Sequence, residues 1–547
     1  MNKQQVFQSA IIHRSRFSIY LAAMNSEQKL SISLCLSIAL LFLSQIVLVS
    51  NNTPYLDDVN FIDFILHFAN PNQRISDFLT RLFMVDNNHM AVIPKLGLSL
   101  QYLLFHDINF KRILLISAFQ LSLIGAWFVW QFKQTSKPFW MALPLLFCWF
   151  QPQYYEISNW AMTGIQQSSV ILFSILALEC IEKPGKKYFI LANLSAALAF
   201  YSFGSGVLAF VGIGYYLLVN KRYREIAWLI PLPVILLGSY LYMKQLGSVA
   251  NSTDIQLSHA IPFFLNLIGT IAMVISSHAS EAAWILGTIM LGLTILGLCS
   301  INYKSKISTL LLMLLANCLL IVSSRDGLGI YMVSRFATLS PLIAMCLYLL
   351  YLPRISNKIS MAILILAGAF WAGSYAQYLP VMYQQKHQAT AEAVNWSRNR
   401  SWTYATERFQ SNAAEILIPS FNQGLWHSEN SILNEPQIKT CLQAKPLSLN
   451  MYEENQMLNI HQFPFETGLQ LPYFLIFMDT LSPSKAYVKN IEFRPNSKKN
   501  ILLQGRWLTN EGTINLQQSQ IPKGNYQIFV FDPSQQQYWK TNKTFKR

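Results

Sequence analysis

Hydrophobic positions along this chain gather into long, nearly uncharged runs instead of alternating strand by strand. About eleven such runs stand out, at 30–50, 110–131, 139–150, 163–181, 188–203, 206–219, 226–243, 283–300, 308–323, 336–351 and 360–377. Inside hydrocarbon, every backbone polar group must be satisfied within its own segment, so runs of this kind predict membrane-spanning helices. At roughly 20 residues each they use about 220 residues, and the remainder is polar enough to lie in water. Charge then orients the spans. With a cytoplasmic N-terminus, the successive inner loops hold Lys133 and Lys137; Lys183, Lys186 and Lys187; Lys221, Arg222 and Arg224; Lys304 and Lys306; and Arg354 and Lys358. Every one of these short loops is basic, as the cytoplasmic side of a multi-pass protein requires. An odd number of spans places the C-terminal tail on the outer face. A further apolar run, 261–276, breaks the pattern if it crosses fully. It is read as a helix dipping into the outer leaflet, with His259, His278 and Glu281 at the outer water boundary.

Composition sharpens this picture. Of 547 residues, 52% are hydrophobic and only 12% charged, which excludes an ordinary soluble enzyme. The net charge of +15 is accounted for by Lys and Arg flanking the spans, so no nucleic-acid partner is expected. Six of the seven cysteines lie in apolar stretches, and only Cys441 lies in the polar tail, so neither a disulfide framework nor a zinc cluster can be read. Residues 1–29 carry Arg14, Arg16 and Lys29 with no small-residue cleavage site. They predict a cytoplasmic N-terminus before a retained first span.

The first outer loop, 51–110, is neither continuously apolar nor a flexible linker. Between Asp58 and Phe68, apolar Phe61, Ile62, Ile65, Leu66 and Phe68 interleave with Asn60, Asp63 and His67 at helical spacing, the pattern of a helix lying in the membrane surface. Similar helices are expected at 74–84 and 94–105, with Pro94 suited to a first turn. Asp57 and Asp58 open the loop. Carboxylates there need water or a partner; they can cap free backbone N–H groups, or serve as a general base for an attacking hydroxyl or amine.

A second constellation is "SSRDGLGIYMVSRFATLSP", in which Arg325 and Arg335 stand ten residues apart with Gly327 and Gly329 between them. Two guanidiniums at the outer boundary suit a phosphate, because their planar donors engage it in a bidentate way and never deprotonate. Local pairing of Arg325 with Asp326, and snorkelling of Arg335 to headgroups, would leave the same residues. Tyr154, Tyr155, Glu156, Asn159 and Trp160 follow the third span and suit either a sugar-lined pocket or an interfacial aromatic belt. His278 is a further pocket candidate. With Glu281 and Asp57 it could take a divalent cation, but three separated ligands make no metal motif, and no obligatory metal or cofactor is expected.

An outer loop opening with "TPYLDDVNF", followed by surface helices and the polar turn "DNNHMAVIPKL", resembles the GT-C class of polyprenyl-phosphate-sugar glycosyltransferases. The likeness covers roughly 30–377 and is one of layout more than identity. It implies that Asp57 is the catalytic base, with Asp58 second. "NHMAVIPKL" looks like the His-Pro helix of many members, which implicates His89 and Lys95, although the common His-Pro-Pro run is absent. "SRFATLSP" is similar to a Ser-Arg-Tyr element, with Phe336 in place of Tyr, and implies that Arg335 holds the lipid-linked phosphate.

The tail turns polar near Leu379. Its last hundred residues contain "YFLIFMDTL", "KAYVKNIEF", "ILLQGRWL" and "NYQIFVFD", which predict strands of a small β-sandwich. A helix is expected around 391–411. The expected organisation is a cytoplasmic segment at 1–29, a helical polytopic membrane domain of GT-C type at 30–378, a mixed region at 379–445 and an outer β-rich domain at 446–547. The outer domain could bind an acceptor or brace the first outer loop.

The resemblance implies an inverting glycosyltransferase of a bacterial inner membrane. Its donor would be a polyprenyl-phosphate-linked sugar, its acceptor an envelope glycan, lipid or protein on the periplasmic face, and membrane lipids would surround it. Two alternatives stay open: a surface-polysaccharide polymerase or ligase with lipid-diphosphate donors, and a flippase or transporter of lipid-linked sugar. The lack of an internal repeat and the near-absence of mid-span charge count against transport.

Overall fold

The computed structural model describes residues 26–85, 89–246, 257–274, 280–325, 333–403, 407–428, 433, 435–516 and 521–546. The helices run α1 (Ser26–Val49), α2 (Asp58–Phe68), α3 (Ile75–Phe83), α4 (Val92–Phe105), α5 (Phe110–Lys133), α6 (Leu143–Trp149), α7 (Tyr155–Asn159), α8 (Ala161–Glu182), α9 (Lys186–Ser202) and α10 (Leu208–Val219). Then come α11 (Tyr223–Leu229), α12 (Pro231–Leu246), α13 (Leu257–Gly269), α14 (Ser280–Ser300), α15 (Lys306–Arg325), α16 (Leu339–Tyr351), α17 (Asn357–Asn399), α18 (Glu407–Asn422) and α19 (Glu435–Leu442).

Among the described residues, eight helices are long and apolar enough to cross a membrane: α1, α5, α8, the pair α11–α12, α14, α15, α16 with its flanking turns, and α17. The other three expected spans also form helices, but α6, α9 and α10 have only 7, 17 and 12 residues. Chain breaks shorten them, such as the 3-10 turn Gly204–Val207 between α9 and α10.

The basic loops gather on one side of the bundle, as their pattern predicts. Arg222 donates to the carbonyl of Ile181 at 2.5 Å, and Lys306 reaches Glu179 at 2.8 Å and Glu182 at 2.7 Å. Arg354 donates to the carbonyl of Ser300 at 2.8 Å, and Lys137 to that of Ile355 at 3.3 Å.

The apolar segment around residue 265 packs antiparallel along the first half of α14, where Gly269 meets Ala283 and Gly287 meets Leu265. A Cβ on either glycine would lie 1.9 Å from a backbone oxygen of the other helix, so only glycine allows this approach. His259 therefore sits at the end of α13 away from Thr270–Val274, the part that reaches the side opposite the basic loops.

Among the described residues, the loop between α1 and α5 holds three short helices, as expected, but α2 does not lie in a membrane surface: its Phe61, Ile62 and Ile65 are buried in the protein core. α4 turns Leu96, Leu100, Leu103, Leu104 and Phe105 outward, the surface of a helix lying in a membrane interface. Helix α17 is much longer than the sequence suggests. Its 43 residues span roughly 64 Å, about twice the hydrocarbon thickness, so it leaves the bundle as a stalk. Ser356 caps its start by accepting from the N–H of Ile359, and Arg400 ends it in the left-handed region (φ 51°). The helix expected at 391–411 is thus the end of α17 and the start of α18, with a break between them.

Among the described residues, nine strands complete the tail: β1 (Lys445–Leu447), β2 (Asn450–Glu454), β3 (Met457–His461), β4 (Phe474–Asp479), β5 (Ala486–Asn490), β6 (Glu492–Pro495), β7 (Leu508–Asn515), β8 (Asn525–Asp532) and β9 (Gln537–Lys546). They form a five-stranded sheet in the order β1-β9-β8-β4-β5 and a four-stranded sheet in the order β2-β3-β7-β6. Leu475, Phe477, Ile528 and Val530 of the first sheet pack with Leu458, Ile460, Phe493 and Ile514 of the second. The other face of the larger sheet, with Phe474, Ile476, Val488 and Phe529, packs on Ala391 and Val394 of α17 and on Ile438 and Cys441 of α19. Burial on both faces explains the unbroken apolar run of β4. "KAYVKNIEF" divides at Ile491 into strands of different sheets. "ILLQGRWL" contributes to a helix, not the expected strand: Ser497 caps α20 (Lys498–Gln504), and Gly505 at φ 68° closes it.

Candidate functional site

On the side of the bundle opposite the basic loops, a solvent-open cleft of about 540 Å³ lies where three parts of the chain meet. One wall is Asn51, Thr53, Pro54 and Tyr55, at the start of the α1–α5 loop. The second is Glu156, Asn159 and Trp160, from α7 and its end. The third comes from the α17 stalk, with Gln385, Lys386, Gln388, Ala389 and Glu392, and from Trp402 just beyond it.

Local capping and turn geometry hold these walls. Ser334, in the 3-10 turn Ser334–Thr338, donates to the carbonyl of Gln153 at 2.8 Å and accepts from the N–H of Glu156 at 3.3 Å. This brings the "SRFATLSP" turn against α7. Glu156 Oε2 then accepts both the backbone N–H of Arg335 at 3.2 Å and its Nη1 at 3.1 Å. The guanidinium lies 5.2 Å from the ring centres of Trp160 and Phe336. Trp160 in turn meets Tyr55 edge to face at 5.4 Å. Asn159 donates to the carbonyl of Met382 at 3.4 Å and to Gln385 Oε1 at 3.2 Å, tying the second wall to the stalk. Thr53 does the same for the first wall through the carbonyl of Ala389 at 3.1 Å.

The two early aspartates have separate surroundings. Asp58 is buried, and its carboxyl oxygens accept from the backbone N–H of Tyr55 at 3.0 Å and of Met162 at 2.8 Å. It therefore joins the loop to the N-terminus of α8. Burial pushes its carboxyl up to about 8, against the downward pull of these two N–H groups. A group that keeps its proton to that point, with both oxygens engaged, is a poor base at neutral pH. Asp57 is half-buried at the N-cap position of α2, where its side chain makes no capping hydrogen bond. It stands two residues after the cleft-lining Tyr55.

Of the residues singled out from the sequence, the fold brings Glu156, Asn159 and Trp160 to the cleft and places Arg335 behind them. Tyr155 faces Tyr378 instead, with ring centres 6.1 Å apart, and Tyr154 is buried with its hydroxyl donating to the carbonyl of Trp149. Lys95 points inward, where it donates to the carbonyls of Arg81 at 2.9 Å and Met84 at 3.3 Å and so closes the end of α3. His89 packs on Phe203, with ring centres 3.9 Å apart. His278 lies outside the described residues, as does the side chain of Arg325 at the end of α15. Among the described residues, no three His, Cys, Asp or Glu side chains gather into a set that could hold a metal ion.

The stalk residues were not found from the sequence. Their signal is the polar run "QYLPVMYQQKHQATAEAVNW", which keeps helical character beyond the last span. Within it, Lys386 donates to the carbonyl of Leu48 at 2.6 Å at the end of α1, and burial together with Lys111 pulls its ammonium downward.

No family model, curated protein or solved structure matches this chain.

The described parts of the tail brace the loop that forms the first wall. Asn52 accepts from the N–H of Phe110 at 2.9 Å, donates to the carbonyl of His427 at 3.1 Å, and its own carbonyl accepts from the Trp426 indole at 2.9 Å. Helix α18 packs on α2 beside this hub. Bracing of the first loop thus falls to residues 407–428, upstream of the β-rich domain.

Proposed function

We propose that the chain is an inverting glycosyltransferase, taking a sugar from a polyprenyl phosphate and passing it to an envelope glycan, lipid or protein at the periplasmic face of a bacterial inner membrane. The observation that carries this reading is the make-up of the cleft. Tyr55, Trp160 and Trp402 supply aromatic faces, and Asn159, Gln385, Gln388 and Glu156 supply polar groups, the mixture that suits a sugar's apolar faces and hydroxyls. The cleft's place at the ends of the spans lets a lipid-borne donor reach it from the bilayer.

In this reading Asp57 accepts the proton of the acceptor hydroxyl as its oxygen attacks the anomeric carbon. The bond from that carbon to the phosphate oxygen breaks, and its electron pair leaves with the lipid phosphate. Lys386 in the cleft, and the donors of Arg335 that Glu156 does not engage, stabilise the charge that develops there. Single displacement inverts the anomeric configuration.

A second reading, a polymerase or ligase using lipid diphosphates, is favoured by one feature: Arg335 lies against the cleft wall, whereas Asp57 is not among the lining residues. A transfer assay with purified protein, radiolabelled polyprenyl-phosphate sugars and envelope extract separates the two. Loss of transfer in both Asp57→Asn and Arg335→Ala, each still folded, supports the first reading. Full activity of Asp57→Asn removes Asp57 as base and moves the second reading ahead.

A further inference from the structure

Helix α20 carries apolar side chains on the wrong side for a domain in water. Only Ile501 is buried, while Leu502 and Leu503 are 57% and 74% exposed. Their conformation is set locally. Ser497 accepts from the N–H of Asn500 at 3.2 Å, and Gly505 returns its N–H to the carbonyl of Ile501 at 3.1 Å, so the helix and its outward leucines are specified by their own caps.

The location of α20 says what covers them. Lys498 donates to the carbonyl of Val274, at the end of the apolar segment Ser258–Val274, and to Gln377 Oε1 at 2.9 Å, where the sequence ends the last apolar run. Trp507, just beyond the helix, packs with Leu469 against Tyr375 and Leu379 of α17. Lys499 and Arg506 are exposed at the two ends of α20. By contrast Leu481, 90% exposed, sits in the β4–β5 hairpin near Ser484, whose carbonyl accepts from Arg398. Arg398 lies roughly 30 Å farther along α17 than Gln377. Leu481 thus lies far from the ends of the membrane helices, whereas the pair on α20 lies level with them.

We propose that α20 is a membrane foot: Leu502 and Leu503 enter the leaflet on the domain side, and Lys499 and Arg506 meet its headgroup phosphates. The β-rich domain is then held to the bilayer at a second point besides the α17 stalk. Its height above the cleft is set by the lipid surface as well as by protein contacts. This inference does not depend on the proposed transfer chemistry.

The test uses the full chain in nanodiscs of phosphatidylcholine and phosphatidylglycerol, with Cys299→Ser as background. A nitroxide is placed at Leu503→Cys or, separately, at Leu481→Cys, and the unlabelled-site background protein serves as the blank. Power-saturation spectroscopy compares collisions with oxygen, which enters lipid, and with a water-soluble nickel chelate. The expected result is loss of nickel accessibility with retained oxygen accessibility at 503, and full nickel accessibility at 481. Equal nickel accessibility at the two positions overturns the foot. In the same discs, Lys499→Glu with Arg506→Glu is expected to raise nickel accessibility at 503, and an unchanged value overturns the headgroup part of the proposal.

Discussion

Glu156 and Arg335, 179 positions apart in the chain, are joined twice through one oxygen: Oε2 of Glu156 takes both the backbone N–H and the side-chain Nη1 of Arg335. Each side chain is about one-sixth exposed, at 16% and 17%, so the pair is neither fully solvated nor sealed. This link closes the 3-10 turn before α16 onto the wall of the cleft.

Arg335→Ala is expected to lower stability by about 1–3 kcal/mol, because it leaves a largely covered carboxylate with only the backbone N–H of residue 335 as partner. Combined with Glu156→Gln, the cycle should show a coupling of about 0.5–3 kcal/mol. Arg335→Lys should not restore the wild-type value, since an ammonium lacks the planar fork that reaches Glu156 while lying against Trp160. Thermal unfolding in detergent measures all three.

Asp57→Asn and Asp58→Asn should differ in kind. The first is expected to reduce transfer by about 10²–10⁴-fold with an unchanged melting temperature. The second should cost stability, about 1–3 kcal/mol, because an amide N–H replaces an acceptor opposite the N–H of Tyr55 or Met162. Parallel activity and melting measurements distinguish them.

The same carboxyl predicts a pH dependence. Asp58 holds its proton in the folded chain up to about 8, well above the usual carboxylate value near 4. Its contribution is therefore complete at pH below about 4 and is lost as pH rises through about 8. The melting temperature of wild type relative to Asp58→Asn should fall over that interval. A constant difference would contradict it.

His387 works in the opposite direction. It lines a smaller cavity between α17 and the β-rich domain, with Tyr383, Gln384, Tyr473 and Phe493. Burial, and then the neighbouring Lys386, push it down to about 3. A depressed imidazole stabilises the junction fully above its ordinary value near 6.5, and that support drains away as pH falls toward 3. His387→Gln should blunt acid-induced exposure of the junction, read as hydrogen exchange in 380–387 and 468–473 between neutral pH and about pH 4.

Gly287→Ala is expected to force α13 and α14 apart, because its Cβ would fall 1.9 Å from the carbonyl oxygen of Leu265. The cost should be about 1–3 kcal/mol. Gly292→Ala, on the same helix with open space around it, should leave the melting temperature unchanged. Thermal unfolding of the two variants side by side gives the comparison.

Much of the architecture was legible in the chain because it is local. Length and hydropathy are properties of one segment, so the long span helices, the short helices at 58–68, 75–83 and 92–105, and the β-rich character of the tail could be read directly. The basic loops could be assigned to one side because charge bias is additive along the chain. Part of the cleft was legible as well: Glu156, Asn159 and Trp160 form a cluster within five residues, and one short helix carries them together. What the tertiary structure decided is pairing at a distance. Two adjacent aspartates look alike in sequence, but Met162, more than a hundred residues away, meets only Asp58. Lys95 reads as a phosphate ligand until the fold directs it to the end of α3. The third wall of the cleft comes from residues 385–392, which nothing local ties to Tyr55 or Trp160. "ILLQGRWL" has the apolar content of a strand, and Ser497 and Gly505 turn its first half into a helix. Periodicity states which face of an element is apolar; only the packed chain states what that face meets.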